Sequence, residues 1–347
     1  MNRLVISVVT VLSLTTLTAC GSSAGKTGAD TGHISATPTP IIRNFLTGVE
    51  GINGPILAVK VDDTSQAHPQ IGLQYADVIY VEQVEGGLTR LAAIFSQNLP
   101  EIIGPVRSAR ISDIDILAQY GRVGFAFSGA QSKFYPMINA ANLVNLSADR
   151  NSANIYYRDS TRYAPTNLIL RPRLLMEKAL NQDHSTIDTV KPIGFTFGSP
   201  AAVGKPVTSM KIKWPASTYA AVWSASESRW LLSHDGKPDL ASTGENLGSP
   251  TIIIQKVAIT PSQYHDRHGG VTPFSNTVGT GSAYLLQEGK VIPITWNRPT
   301  ATGGTIWNLA DGTPATLVPG QIWIMLSDQT PIFTYPATPS ASASASK

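Results

Sequence analysis

Short apolar runs broken by turn residues dominate the chain, and their spacing changes midway along it. In the first part, Ile56–Val61 (ILAVKV) and Val78–Val84 (VIYVEQV) are β-rich. Leu91–Phe95 resumes the pattern after Gly86-Gly87, which predicts a hairpin. Ser112–Tyr120 carries apolar residues at Ile114, Leu117 and Ala118, with acids just after Ser112. That is the pattern of a helix capped by Ser112. Val123–Phe127 reads as a buried strand, and Leu168–Leu180 as a helix with Pro172 in its first turn. Strands alternating with helices predict an α+β or α/β N-terminal domain over residues 42–195. Beyond it the helical spacing disappears. Runs such as Met210–Trp214, Thr251–Ile259, Val291–Trp296 and Gln321–Leu326 are separated by Asp235-Gly236, Glu288-Gly289, Asp311-Gly312 and Pro319-Gly320. Residues 205–336 therefore read as an all-β C-terminal domain, sandwich or barrel-like.

The two ends follow neither pattern. Residues 1–19 have Arg3 ahead of a short apolar stretch from Leu4 to Leu17, too short to span a bilayer and suited to a signal peptide. The stretch ends in Leu17-Thr18-Ala19-Cys20-Gly21, which resembles a bacterial lipobox. That resemblance implies cleavage before Cys20 and acyl chains (diacylglycerol, palmitate) on the new N-terminus. Residues 20–41, rich in Gly, Ser, Thr, Ala and Pro, read as a flexible tether, and 337–347 as a low-complexity, disordered tail. The expected location is the outer face of the cytoplasmic membrane, with lipid as the anchor. Cys20 is the single cysteine, which excludes an internal disulfide and any cysteine-based metal site.

Composition narrows the chemistry. Of 347 residues, 42% are hydrophobic and only 14% charged, with a net charge of +3. That balance does not favour nucleic acid as a partner. Within so charge-poor a chain, clustered arginines stand out. Gly104-Pro105-Val106-Arg107-Ser108-Ala109-Arg110 sets two of them just before the helix start. Arginines at the positive end of a helix are poorly placed unless an anion lies between them. Pairing with Asp113 or Glu82 is the other explanation. A second loop, Tyr157–Asn167, carries Arg158, Asp159, Arg162 and Asn167. Glu82, Glu85 and Arg90 flank the glycine turn. The candidate ligand-binding set is therefore Glu82, Arg90, Arg107, Arg110, Arg158, Asp159, Arg162 and Asn167. No cofactor is expected. Asp62 and Asp63, adjacent at a strand end, are the weak candidates for Mg²⁺. His265-Asp266-Arg267-His268 lacks a third ligand and reads as a polar β-loop. Ser128–Ser132 follows a buried strand and is placed to cradle a ligand through its N–H groups. The tryptophans, all in the C-terminal half, read as core. None of the familiar hydrolase, metalloprotease or P-loop signatures occurs.

The run from Ala58 to Leu117, and YYRDSTRYAPTNLIL, resemble the YerB-like bacterial lipoproteins, the DUF3048 family. So do the pieces Thr277–Gly281 and Leu317–Trp323 of the C-terminal half. The resemblance covers roughly residues 50–335. It implies an envelope lipoprotein with paired domains of unknown function and no assigned enzymatic activity. Where the family carries a histidine before the Asn of its second loop, this chain has Thr166. The reading favoured is a non-catalytic, membrane-anchored protein that binds an anionic envelope ligand, such as a cell-wall precursor. The alternatives are a phosphotransferase-like or hydrolytic enzyme acting on wall-polymer precursors, and a scaffold docking an envelope protein.

Overall fold

The computed structural model describes residues 41–200, 202–266 and 268–337. The readings of residues 1–19, Cys20, most of the tether and nearly all of the tail lie outside these residues. Strand β1 (Leu57–Asp62) lies between β3 (Thr89–Phe95) and β4 (Val123–Ala126), and β2 (Val78–Gln83) flanks β3 on its other side. β5 (Leu143–Asn145) closes that edge. β1–β3 and β2–β3 are antiparallel, whereas β4 runs parallel to β1.

The sheet does not stop at β2. The strand Ile322–Ser327, from the far end of the chain, pairs parallel with β2, Val78 opposite Ile322. Beyond it come Thr251–Lys256, Gly279–Gln287, Lys290–Arg298 and Ile306–Asn308, giving eleven strands with the short Lys205–Pro206 pair. The two sequence halves thus share one sheet, and the described residues belong to one compact unit. In composition they still differ: the helices lie in the first half, and the second half is strands.

Strand alternation sorts the core. Leu57, Val59 and Val61 of β1 join Ile79, Val81, Leu91, Ala93 and Phe95 on one face. A second sheet, built mainly from Ser209–Trp214, Ser217–Ser224 and Arg229–His234, covers that face with Trp214, Tyr219 and Trp230. Ala58, Tyr80, Ala92 and Ile94 face the other way, toward helix α1 (Ile111–Ala118) with Ile116 and Leu117. Both faces are dry, which is why these strands read as continuous apolar runs.

Two local expectations are corrected. Leu168–Leu170 is a strand paired with Tyr156–Arg158, and helix starts only at Pro172. The leucines satisfy both periods, and Arg171-Pro172 breaks the run. Helix α1 starts at Ile111, so Ser112 lies inside it, and its hydroxyl accepts the N–H of Ser275 at 3.0 Å. The acid read there, Asp113, instead accepts the N–H of Arg110 at 2.7 Å.

Candidate functional site

At the ends of β1 and β2 and the start of β3 the apolar alternation gives way to charge. Register places Asp62 opposite Arg90, and Arg90 opposite Glu82. The segment leading into α1 lies across this end. Asp62 N–H donates to Pro105 at 2.9 Å and Arg107 N–H to Lys60 at 2.8 Å. On its other side, Ser128 N–H donates to Arg107 at 2.9 Å and Ala109 N–H to Gly129 at 3.0 Å. Pinned on both edges, the segment delivers Arg107 and Arg110 to the place Arg90 reaches from β3. The three side chains line one cavity of about 580 Å³.

Their partners differ. Arg107 Nε lies 2.9 Å from Asp62 Oδ2, a close ion contact whose angle is not that of a hydrogen bond. Arg110 donates from Nε to Glu85 Oε2 at 2.8 Å, with a second guanidinium nitrogen also at 2.8 Å. Glu85's other oxygen accepts the Thr272 hydroxyl. Burial would raise the Glu85 carboxyl, but the charge and hydrogen bond of Arg110 outweigh it and hold it below the usual range. Arg90 is 8% exposed and donates to the Ser108 carbonyl at 2.9 Å. Among the described residues no carboxylate lies within 4 Å of its guanidinium. Burial, then repulsion from Arg110 and Arg107, pulls its pKa down to about 9. Three guanidinium groups therefore meet Asp62, Glu85 and the cavity-lining Asp266 here, and it is Arg90 whose burial and cationic neighbours oppose its charge.

The remaining wall is mixed: Leu88, Ile111, Phe134, Pro165 and Tyr264 alternate with polar residues such as Thr64, Thr89, Ser108 and Thr272. Ala130, Gln131 and Ser132 also line it, from the loop after β4. The loop read as merely polar, His265 to His268, borders the cavity as well. Asp266 is occupied in turning it, accepting N–H groups of His268 and Gly270, each at 2.8 Å.

The other candidate residues lie elsewhere. Glu82 is fully buried and bonded to Lys60, whose ammonium also donates to Asp113 at 2.8 Å. It does not line the cavity. Arg158 donates to Asn167 at 2.6 Å, and Asp159 accepts from Thr161 N–H at 2.9 Å. Arg162 donates to the carbonyls of Ala67 and Pro69 at 3.0 and 2.6 Å. All four hold their own loop in place, and of that loop Pro165 reaches the cavity. Thr166, in the place of the family histidine, donates to the Tyr163 carbonyl at 2.9 Å.

Asp62 and Asp63 turn to opposite sides of the chain and share no site. Asp63 enters a buried cluster on the other face. It accepts from Tyr219 at 2.8 Å, Gln70 at 3.0 Å and Thr89 at 2.5 Å. His68 and His234 stand beside it, and His68 Nδ1 lies 3.1 Å from Asp239. Burial opposes charge on His68, yet the hydrogen bond to Asp239 and the charge of the nearby Asp63 carboxylate raise its pKa to about 10. Nothing local in the sequence joins residue 63 to residue 234. Strand alternation alone, however, would have set Asp62 and Asp63 apart. Of the tryptophans, Trp214, Trp230, Trp296, Trp307 and Trp323 are buried and Trp223 is half-buried against Trp230. This removes a tryptophan-centred docking face.

A mixed sheet shared by two chain segments, with a second sheet on one face and a charged cavity at its strand ends, defines the structural class. Residues 46–186 match the family described as "Protein of unknown function (DUF3048) N-terminal domain", and residues 210–324 its C-terminal domain. The chain belongs to this DUF3048, YerB-like family. It is 23% identical over 274 residues to the "Putative lipoprotein YerB" of Bacillus subtilis (strain 168), covering 77% of this chain and 80% of that one. The crystal structure of YerB protein from Bacillus subtilis superposes with a TM-score of 0.70 at 21% identity, over 84% of this chain and 99% of that one. Family and relative together place the chain among lipoproteins of unknown function. Among the described residues no helix is long and apolar enough to cross a membrane.

Proposed function

We propose that this is an exported lipoprotein, held by Cys20 at the outer face of the cytoplasmic membrane, that binds an anionic envelope ligand through Arg90, Arg107 and Arg110. The observation that carries the reading is the convergence of three guanidinium groups on one cavity, with Arg90 among them buried and, among the described residues, without a carboxylate within 4 Å. An anion seated between them would offset the excess charge around Arg90. Guanidinium forks match phosphate and carboxylate oxygens, and each charge-assisted hydrogen bond contributes about 1.5–3 kcal/mol. The chemistry is that of a binding site, and the apolar side chains among its lining suit the non-ionic part of a wall or lipid precursor.

The test is a thermal-shift titration of the full chain in detergent with inorganic pyrophosphate, an undecaprenyl phosphate analogue and muropeptides. A ligand at 100 times its Kd stabilises by about 2.7 kcal/mol, a shift of several degrees. The expected result is a shift with at least one phosphate ligand that vanishes in the Arg107→Ala/Arg110→Ala variant. No shift with any of them, or a shift unchanged in that variant, removes the reading.

A further inference from the structure

The cluster on the other face of the sheet has a different chemistry from the cavity. Asp63, His68 and His234 each turn one ligand atom inward, and these atoms all lie within 4.8 Å of one another. His68 Nε2 is 3.4 Å from Asp63 Oδ1, and His234 Nε2 is 3.7 Å from Oδ2. Both separations exceed the 2.7–2.9 Å of a charge-assisted hydrogen bond, and the Ser217 hydroxyl lies 3.0 Å from His234 Nε2, a contact that a metal would replace. Tetrahedral zinc, with bonds of about 2.0–2.2 Å, sets its ligand atoms roughly 3.3–3.5 Å apart. Each separation is close to one edge of such a polyhedron, the two histidines meeting different oxygens of the Asp63 carboxylate.

The surroundings fit as well. A metal-bound histidine normally gives its other ring nitrogen to a carboxylate, which fixes the ring and its tautomer. His68 Nδ1 has Asp239 at 3.1 Å in that position. Asp63 is fixed by Tyr219, Gln70 and Thr89. Gln70 is fully buried, with its amide nitrogen 3.3 Å from His68 Nε2 and its Oε1 without a hydrogen-bond partner.

We propose that Asp63, His68 and His234 form a zinc site that ties the N-terminal segment to the second sheet. Asp63 and His68 follow β1, whereas His234 ends a strand of the second sheet. The two imidazoles are stacked, with centroids 4.5 Å apart and planes 14° from parallel. Zinc lies near the plane of each ring it binds, so loading tilts one of them. His68, with 18% of its side chain exposed, borders solvent and is the ring with room to turn. This assignment does not depend on the arginine cavity, and it differs from a Mg²⁺ pair at Asp62 and Asp63 in both ligands and metal.

The experiment strips the full chain in detergent with a chelator and titrates it calorimetrically with Zn²⁺ at neutral pH. One equivalent is expected to bind at micromolar concentration or tighter, and to raise the melting temperature by several degrees. Co²⁺ in its place is expected to give the visible bands of tetrahedral coordination. These measurements use the unaltered chain and do not depend on any variant folding. His68→Gln and His234→Gln should each weaken binding at least tenfold, and Asp239→Asn about tenfold. His184→Gln, on an exposed turn, should leave it unchanged. The assignment is overturned if the unaltered chain takes up no stoichiometric zinc. Binding that survives both histidine substitutions, or is lost in His265→Gln instead, overturns it too.

Discussion

Lys60 and Asp62 sit two residues apart on β1, on the same side of the sheet, yet the charges around them do different things. Lys60 meets Glu82 and Asp113, and all three are fully buried. That group is closed: one cation faces two acids, and none of the three side chains lines the arginine cavity. Burial and Asp113 push the Glu82 carboxyl up, as expected where two acids share one ammonium. Asp62 belongs instead to a group in which three guanidinium groups border a cavity and one of them, Arg90, has no carboxylate within 4 Å among the described residues. Buried charge alone therefore does not mark a binding site. The mark is charge left over beside space for a ligand.

The comparison breaks most sharply at Lys60. Lys60→Met strands two buried carboxyls, which should cost about 3–5 kcal/mol of stability. Urea denaturation checks this, and a loss below about 1 kcal/mol would mean that the closed group is not structural. In the cavity the effect should fall on binding. Arg107→Ala/Arg110→Ala should weaken pyrophosphate binding by roughly 100-fold or more, from two lost charge-assisted hydrogen bonds. Calorimetry reads the loss directly. Removing an acid should alter anion affinity in one group and not in the other. Glu85→Gln releases Arg110 and should tighten the anion several-fold with a steeper salt dependence, whereas Glu82→Gln should leave affinity unchanged. Equal effects from both would erase the distinction.

The smallest effect is in pH. The Glu85 carboxyl lies lower in the folded protein than its ordinary 4.5. Its contribution is thus fully present above that value and is lost as pH falls through the lower, folded one. Urea midpoints between pH 3 and 6 should fall less steeply in Glu85→Gln than in the unaltered chain. Parallel curves would show that the Arg110–Glu85 pair adds nothing to folding.

Much of this was readable along the chain. Apolar runs located β1, β2, β3 and β4, and the arginines before α1 drew attention to the segment that crosses the strand ends. Errors arose where one pattern serves two structures. Leu168–Leu180 fits a helix and a strand-then-helix equally well until Pro172 is weighed as a boundary. Arg158 and Arg162 carry the same chemistry as Arg107 and Arg110, but their forks are spent on nearby carbonyls and on Asn167. Glu85 was visible beside its glycines, but its bond to Arg110 needed the loop between them to fold back. His68 and His234 gave no local sign of each other.

The sequence by itself determined the elements, the dry two-faced strands, the lipobox-like start and the residue types available for binding anions. These follow from spacing and composition, which act over a few residues. Tertiary structure alone decided that Ile322–Ser327 pairs with β2 and so merges the two halves into one sheet. It also decided which arginines share a cavity and which acids neutralise them. Those outcomes depend on distances between groups far apart in the chain. Charge interactions fall off with distance and with solvent exposure, and both are set only once the sheet has closed.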